Sequence, residues 1–306
     1  MSKRPLSIIF AGTPAFAVPA LRALIEDAAF DVKLVITQPD KPVGRTHTLT
    51  TTPVKTFAKQ HDIPVWQPEN INGEWRLPAG KAGMANGDNT SQFPILNSPF
   101  DYLVVVAYGQ ILSQEILDSP AIAPVNVHFS LLPRWRGAAP VQHALLAGDK
   151  ETGISIQKML KKLDTGPVLA QMVVPIDGTK TAEQLYEDMS EQCTNLLLST
   201  LKNPLHPHPQ NENHARLGKK LSRTMGDVDP KTMTAEEIDR RVRALVPWPG
   251  VRAMIDGQEI KLLRTSLEAS AQSAPLPCSD GILHLVSVQP AGGKPMSGAS
   301  WKRGKR

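Results

Sequence analysis

A strand with alternating polar residues contains the side chains of this sequence that are best suited to chemistry. Residues 125–129 read Val-Asn-Val-His-Phe, so Asn126 and His128 stand at positions i and i+2. Side chains with this spacing lie on the same face of a strand. An amide N–H can stabilise a developing oxyanion, and an imidazole can transfer a proton. With a carboxylate to orient the imidazole, for which Asp164 is the candidate, this set is suited to acyl transfer.

Each of these residues also has an ordinary structural interpretation. An Asn-x-His pair on a strand is more often a hydrogen-bonded polar pair than a catalytic one, and an Asp shortly before a Gly is normally a turn residue. The loop after the strand favours the catalytic interpretation, because Pro133, Gly137 and Pro140 restrict its backbone. Arg134 and Arg136 are predicted to project from this loop.

The same residues form a pattern that resembles the folate-dependent formyltransferases. Residues 126–137 read Asn-x-His-x-Ser-Leu-Leu-Pro-x-x-Arg-Gly, and Asp-Thr-Gly follows at 164–166. The longer sequence over 130–142, which ends Arg-Gly-Ala-Ala-Pro-Val-Gln, is close to the methionyl-tRNA formyltransferase version of the motif. The resemblance extends over most of the chain and implies both a fold and an activity.

This resemblance implies a catalytic role for each of the three polar residues. Asn126 would donate its amide N–H to the oxyanion of a tetrahedral intermediate, and His128 would transfer a proton or stabilise charge. Asp164 would orient His128 and relay the proton. No metal is required for this chemistry, because formyl transfer to a neutral amine needs charge stabilisation more than a Lewis acid.

The family also implies 10-formyltetrahydrofolate as the co-substrate. Its contacts are expected largely from the backbone of one loop and from one strand end that borders the pterin pocket. The residues concerned are Ser130, Leu131, Leu132, Pro133 and Tyr108.

The first two thirds of the chain alternate apolar strands with helical segments, which predicts an α/β fold with a mostly parallel, Rossmann-like sheet. Residues 6–12, 32–38 and 101–109 are apolar runs typical of buried parallel strands. Thr13 is expected to cap the first helix, with Pro14 at its first position. The first strand leads into Gly-Thr-Pro without the glycines of G-x-G-x-x-G, so a bound dinucleotide is not expected.

Two irregular segments interrupt this domain. Residues 39–53 form a polar loop, and loops of this length are usually functional or disordered. Its Pro-Asp-Lys-Pro-Val-Gly-Arg sequence resembles the loop with which methionyl-tRNA formyltransferases engage the tRNA acceptor end, which implies tRNA contacts for Lys41 and Arg45. The Thr-rich residues 46–52 depart from the basic residues usual there, and a solvated loop is the alternative. Residues 72–98 are predicted to be a surface excursion without an assigned role.

A Pro-rich connector indicates a boundary between two domains. The predicted division is a formyltransferase catalytic domain over residues 1–203, a linker over 204–219 and a smaller domain over 220–306. The sequence 224–230 departs from the Glu-x-x-Ile-Asp-Trp that commonly ends the linker in the family.

The smaller domain is predicted to be a β-barrel with one helix. Thr234-Ala-Glu-Glu is a capping box, and the sequence beyond it contains short strands joined by turns. The resemblance implies an OB-like tRNA-binding domain in which Arg240, Arg243 and Lys294 contact tRNA.

Charge is distributed unevenly between the two parts of the chain. Residues 211–306 carry 16 Lys and Arg against 10 Asp and Glu, whereas the preceding residues carry 18 against 19. A basic domain attached to a nearly neutral one indicates an anionic partner such as nucleic acid. A basic surface without a specific partner explains the charge equally well.

Composition fits an ordinary two-domain protein of 306 residues, with 41% hydrophobic and 21% charged residues. No apolar run approaches the length of a membrane span, and no signal peptide is visible. Cys193 and Cys278 are far apart and lack metal-ligand neighbours, which fits a reducing cytoplasm. We therefore expect a cytoplasmic monomer that binds no metal.

The resemblance implies transfer of the formyl group of 10-formyltetrahydrofolate to the α-amino group of methionine on initiator tRNA. A sugar N-formyltransferase is the nearest alternative, but a small nucleotide-sugar needs neither a basic second domain nor the 39–53 loop. A non-catalytic RNA-binding module would leave Asn126, His128 and Asp164 without a purpose. A pyridine-nucleotide dehydrogenase would need the missing glycine motif.

Overall fold

The computed structural model describes residues 4–43, 48–75 and 99–304, and the chain forms two compact units. The first unit comprises Met1–Arg136, Gly153–Val173 and Glu187–Ala215. The second comprises Gly137–Thr152, Val174–Tyr186 and Arg216–Arg306. The predicted linker 204–219 is divided between the two units, and the domain boundaries expected from the sequence stay a prediction.

A mostly parallel sheet forms the centre of the first unit. Over the described residues its seven strands are, in spatial order, β10 (Val168–Pro175), β9 (Glu151–Lys158), β7 (Ala123–His128), β6 (Tyr102–Val106), β1 (Leu6–Gly12), β2 (Phe30–Ile36) and β5 (Val65–Trp66). The strands from β7 to β5 pair in parallel, whereas β7 and β9 are antiparallel. β6 and β7 are buried along their whole length, as expected for apolar runs covered on both faces. The predicted α/β fold is confirmed.

The short strand β8 (Arg136–Gly137) follows β7, and helices alternate with the strands of the sheet. Those before residue 203 are, within the described ranges, α1 (Val18–Glu26), α2 (Pro53–Gln60), α3 (Ile71–Glu74), α4 (Gln114–Leu117), α5 (Pro140–Ala147) and α6 (Ala182–Lys202). α2 begins after Thr52, whose hydroxyl accepts a hydrogen bond from the backbone N–H of Lys55 at 3.1 Å. Across residues 4–43, 48–75 and 99–304, no helix combines the length and the apolar composition needed to cross a membrane.

The start of the first helix differs from the prediction. Thr13 does not cap it, because a 3-10 turn over Ala15–Ala17 intervenes and α1 begins only at Val18. The Thr13 hydroxyl instead donates to the carbonyl oxygen of Tyr108 at 2.9 Å and accepts from the backbone N–H of Gln38 at 3.4 Å. Thr13 thus bonds to residues just beyond the ends of β6 and β2 instead of capping α1.

The 39–53 segment contains more regular structure than the predicted loop. β3 (Lys41–Val43) and β4 (Thr48–Thr50) pair as an antiparallel hairpin. Residues 44–47, which include Arg45, lie outside the described residues. Of the predicted excursion over 72–98, α3 covers the beginning, and residues 76–98 also lie outside the described residues.

The second unit contains a separate, mostly antiparallel sheet. Its elements beyond the connector are β11 (Leu217–Gly218), β12 (Asp227–Val228), α7 (Ala235–Leu245), β13 (Val251–Ile255), β14 (Gln258–Ser266), β15 (Ala274–Pro277), β16 (Ile282–Pro290), β17 (Met296–Ser297) and α8 (Gly298–Arg303). The sheet order is β12-β13-β14-β16-β15, and β17 adds to β16. Thr234 and Glu237 exchange hydrogen bonds of 2.9 and 3.1 Å at the start of α7, which confirms the predicted capping box.

Gly166 lies at a point of the β9–β10 connection where no side chain fits. A Cβ atom there would lie 1.7 Å from the backbone oxygen of Lys158, which cannot rotate away. We expect Gly166→Ala to lower the free energy of unfolding by about 3 kcal/mol, measured by thermal and urea denaturation. Gly281→Ala is the matched control, because a Cβ atom there meets nothing within 4 Å. Equal stability of the two variants would contradict this prediction.

Candidate active site

Two neighbouring strands place four polar side chains on one face of the first unit's sheet. In the antiparallel pair of β7 and β9, Asn126 stands opposite Gln157 and His128 opposite Ser155. Residues that stand opposite each other in such a pair point to the same side. Alternation with Val and Ile keeps both strands in the core, so that Asn126 is only 9% and His128 only 6% exposed.

Asp164 lies in the connection between β9 and β10 and joins this group. Its Oδ1 accepts a hydrogen bond from Asn126 Nδ2 at 3.5 Å, and its Oδ2 lies 3.7 Å from His128 Nδ1. Asp164 has a left-handed backbone with φ of 52°, which aspartate tolerates better than most residues. The structure thus brings together the three side chains that the sequence indicated for catalysis.

Gln157 is a fourth member of this group, which the sequence analysis missed. Its Nε2 donates to Asp164 Oδ1 at 2.8 Å, and its side chain is 1% exposed. The donation to a carboxylate establishes which end of the amide is nitrogen. Its Oε1 is buried and meets no hydrogen-bond partner in the part of the chain that the structure describes. The alternating sequence Ile-Ser-Ile-Gln over 154–157 was the available signal.

The orientation of the His128 ring follows from its two neighbours. Nε2 lies 2.9 Å from the carbonyl oxygen of Trp135. A carbonyl oxygen can only accept, so Nε2 carries a hydrogen. Nδ1 faces the Asp164 carboxylate, at 3.7 Å from Oδ2. Within the described ranges, His, Cys, Asp and Glu side chains form no group of three or more that could hold a metal ion.

The loop after β7 is held by hydrogen bonds inside the protein. Ser155 Oγ donates to the Ser130 carbonyl at 2.6 Å and accepts from the Leu132 N–H at 3.0 Å. Gln171 Nε2 donates to the Leu132 carbonyl at 2.9 Å. These hydrogen bonds fix the backbone of the loop, and each carbonyl oxygen keeps a second lone pair. The predicted backbone contacts of residues 130–133 with folate stay a prediction.

A partly open pocket adjoins Asp164, with about 390 Å³ of empty space when open solvent is counted. Its lining residues are Gln110, Ile111, Leu112, Leu117, Gln157, Met159, Leu160, Lys161, Leu163 and Asp164. Residues 130–133, which were predicted to contact the co-substrate, are not on its wall. Sequence reasoning missed this set because two segments far apart in the chain supply the wall.

Tyr108, which was predicted to border the ligand, has a buried side chain next to residues of the pocket wall. Its side chain is 1% exposed and belongs to the apolar cluster that contains Leu112 and Leu117, both of which line the pocket. This burial raises the pKa of the Tyr108 phenol above its ordinary value. The predicted contact between Tyr108 and the co-substrate stays a prediction.

Of the cations predicted to bind tRNA, Lys41 and Lys294 have exposed side chains. Lys41 lies on β3 in the first unit, and Lys294 lies between β16 and β17 in the second. Arg45, the third predicted cation outside α7, lies outside the described residues. Exposure leaves both lysines accessible to phosphate.

The two predicted arginines of α7 have acidic partners within their own helix. Arg243 Nε donates to Asp239 Oδ2 at 2.8 Å, and the Arg243 side chain is 13% exposed. Arg240 pairs with Glu236 at 2.7 Å, and its side chain is 20% exposed. A buried, paired guanidinium is less available to a phosphate than a free one, so a structural role suits Arg243 better.

Comparisons with known proteins show the family to which the chain belongs. A family model described as "Formyl transferase" matches residues 6–201, and one described as "Formyl transferase, C-terminal domain" matches residues 220–306. A methionyl-tRNA formyltransferase of Halorhodospira halophila is 39% identical over 98% of this chain and 96% of its own length. The chain belongs to the methionyl-tRNA formyltransferase family.

Solved structures agree with the fold of this formyltransferase. A methionyl-tRNA formyltransferase from Clostridium thermocellum matches 93% of the chain and 98% of its own length, with a TM-score of 0.58 and 17% identity. An N-formyltransferase from Helicobacter canadensis in complex with folinic acid and dTDP-3-aminofucose matches 92% of the chain and 98% of its own length, with a TM-score of 0.66 and 17% identity. At this identity the likeness concerns the fold alone.

Gln157 gives a test of the site within this formyltransferase. We expect Gln157→Leu to lower kcat for formyl transfer by about tenfold, because Asp164 loses the amide donor that lies 2.8 Å from its Oδ1. Gln192→Leu, a substitution of an exposed glutamine on α6, is the matched control. A Gln157→Leu enzyme with the kcat of the control would show that Asp164 does not depend on this donor.

Proposed function

We propose that this chain transfers the formyl group of 10-formyltetrahydrofolate to the α-amino group of methionine on initiator methionyl-tRNA, which gives formylmethionyl-tRNA for translation initiation. The observation that carries the proposal is the convergence of Asn126 and His128 on Asp164, at 3.5 and 3.7 Å, in a member of this family. These groups supply an oxyanion donor, a proton acceptor and an orienting carboxylate.

The amide of Asn126 supplies the electrostatic part of the mechanism. The free amine attacks the formyl carbon, a new C–N bond forms, and negative charge develops on the formyl oxygen. Asn126 Nδ2 carries two hydrogens; one points to Asp164 Oδ1, and the other can be donated to this oxyanion. Removing a preorganised donor of this kind typically lowers kcat by about 100- to 1000-fold.

His128 and Asp164 supply the proton transfers. The amine must lose a proton as the intermediate forms, and N10 of the folate must gain one when its bond to the formyl carbon breaks. His128 Nδ1 is the ring atom that can accept and return this proton, because Nε2 is committed to the Trp135 carbonyl. Asp164 orients the ring and stabilises its charged form from 3.7 Å.

The pocket beside Asp164 has a lining whose chemistry suits the ring of the folate co-substrate. The apolar side chains of Leu112, Leu117 and Met159 can cover a planar ring, and Gln110 and Gln157 add polar groups to the wall. The buried Gln157 Oε1 is an acceptor without a partner in the described residues, and an N–H of the bound ring would satisfy it. In this proposal the backbone of residues 130–133 also contacts the folate, as the resemblance to the family implies.

The second part of the proposal concerns the tRNA that accepts the formyl group and the residues that bind it. A tRNA binds through phosphate contacts with exposed cations, and Lys41, Lys294 and the basic sequence beyond residue 211 are suited to this role. Arg45 is included because its loop resembles the tRNA-binding loop of the family. A cytoplasmic location, the absence of a metal requirement and a monomeric state remain expectations from the sequence.

A comparison of acceptors tests the proposed function directly. The purified protein is given 10-formyltetrahydrofolate with initiator methionyl-tRNA, with free methionine and with an amino-sugar nucleotide. We expect formylation of the charged tRNA alone, because the basic residues hold the tRNA and orient its amine. Transfer only to the sugar would overturn the proposed partner, and transfer to none of the three would overturn the proposed reaction.

Substitution of Arg45 tests the contribution to tRNA binding separately from folate binding. We expect Arg45→Ala to raise KM for methionyl-tRNA by about tenfold and to reduce the salt dependence of tRNA binding by about one charge, because one phosphate contact is lost. KM for the folate should stay unchanged. Arg22→Ala, on the surface of α1, is the matched control. An equal rise of both KM values for Arg45→Ala would indicate that the loop shapes the active site.

A further inference from the structure

The connector after α6 contacts both loops that surround the active site. Gln210 Nε2 donates to the carbonyl oxygen of Asp164 at 2.9 Å and to that of Gly166 at 2.6 Å. Its Oε1 accepts from Arg136 Nε at 3.0 Å. One amide side chain therefore bonds to the loop that contains Asp164 and to the loop that follows His128.

A second connector residue completes the attachment of Arg136. The guanidinium makes two parallel hydrogen bonds to the carboxylate of Glu212, at 2.9 and 2.6 Å. The Arg136 side chain is 7% exposed, and a buried guanidinium needs partners for its N–H groups. Glu212 is 65% exposed, so solvent and salt screen its charge. The half-buried Gln210 is the better protected of the two partners.

Both loops contain a residue whose backbone needs support. Trp135 and Asp164 have positive φ angles of 60° and 52°, and non-glycine residues persist in this conformation when their surroundings hold them. The carbonyl of Trp135 accepts the hydrogen bond from His128 Nε2. A movement of either loop would therefore displace a catalytic group.

We propose that Gln210 is a positioning residue for formyl transfer, which acts through Asp164 and Arg136 and does not touch the reacting atoms. The inference rests on the proposed function and assigns the connector a part in catalysis. By holding the carbonyls on either side of Thr165, Gln210 sets the direction in which the Asp164 carboxylate points. By holding Arg136, it stabilises the loop whose carbonyl orients His128.

Steady-state kinetics of Gln210→Ala form the first test. We expect kcat to fall by about 10- to 100-fold, because His128 and Asp164 would no longer be oriented correctly. KM for folate and for tRNA should change less than about threefold, because neither substrate loses a binding contact. Gln192→Ala is the control and should match the unchanged enzyme. A Gln210→Ala enzyme with normal kcat would overturn the proposal, as would a loss confined to KM.

A double-substitution cycle separates positioning from general weakening of the fold. If Gln210 acts through Asp164, Gln210→Ala should lower kcat by less than about threefold in an enzyme that already contains Asp164→Asn. The same loss in both backgrounds would mark a purely structural role and overturn the proposal. Gln210→Met, which keeps the side-chain volume, takes the place of Gln210→Ala if the alanine variant does not fold.

Hydrogen exchange gives a readout that needs no activity. Peptides over 130–138 and 160–166 should exchange faster in Gln210→Ala than in Gln192→Ala, since the loops lose their shared support. Unchanged exchange would overturn the proposal even if the protein formylated no acceptor. Failure of the unchanged enzyme in the acceptor comparison would instead refute the proposed reaction, so the two failures are distinguishable.

Discussion

The candidate active site depends on one buried carboxylate, that of Asp164, and on the donors that surround it. Asp164 is 9% exposed, and a carboxylate in such a place is costly unless hydrogen bonds stabilise it. Gln157 and Asn126 donate to the same oxygen, and His128 faces the other. These donors come from two adjacent strands whose register is set by their apolar residues. The two strands therefore supply the hydrogen bonds that stabilise the Asp164 carboxylate. The carboxylate in turn holds the side chains of Asn126 and Gln157 in place.

The reversal of strand direction at β9 makes this arrangement possible. In an antiparallel pair, two residues that stand directly opposite each other have their side chains side by side on one face of the sheet. β9 runs antiparallel to β7 in a sheet that is otherwise parallel through β6, β1, β2 and β5. Two rows of side chains consequently face each other across one strand pair. A sheet of the type found in nucleotide-binding proteins thus positions the residues proposed for formyl transfer.

Much of the fold and part of the site could be predicted from the sequence, for physical reasons. β1 has the predicted bounds because a continuous apolar run between turn residues has few other stable arrangements. Gln157 was missed because a polar residue in an alternating strand is expected to face solvent. Thr13 was assigned incorrectly as a helix cap because its hydrogen-bond partner Tyr108 is far away in the sequence. Arg136 and Glu212 are 76 residues apart, and no local pattern indicates their contact.

The connection between β9 and β10 contains Asp164, which is held by hydrogen bonds, and exposed leucines, which are not. This difference matters for drug resistance. Leu160 and Leu163 line the pocket but are 47% and 55% exposed, and their side chains take no part in holding Asp164. An inhibitor that gains its affinity from them can be evaded by substitutions that leave the reaction intact. One that bonds to the buried Gln157 meets a residue that also holds Asp164, so escape there would cost the enzyme its own turnover.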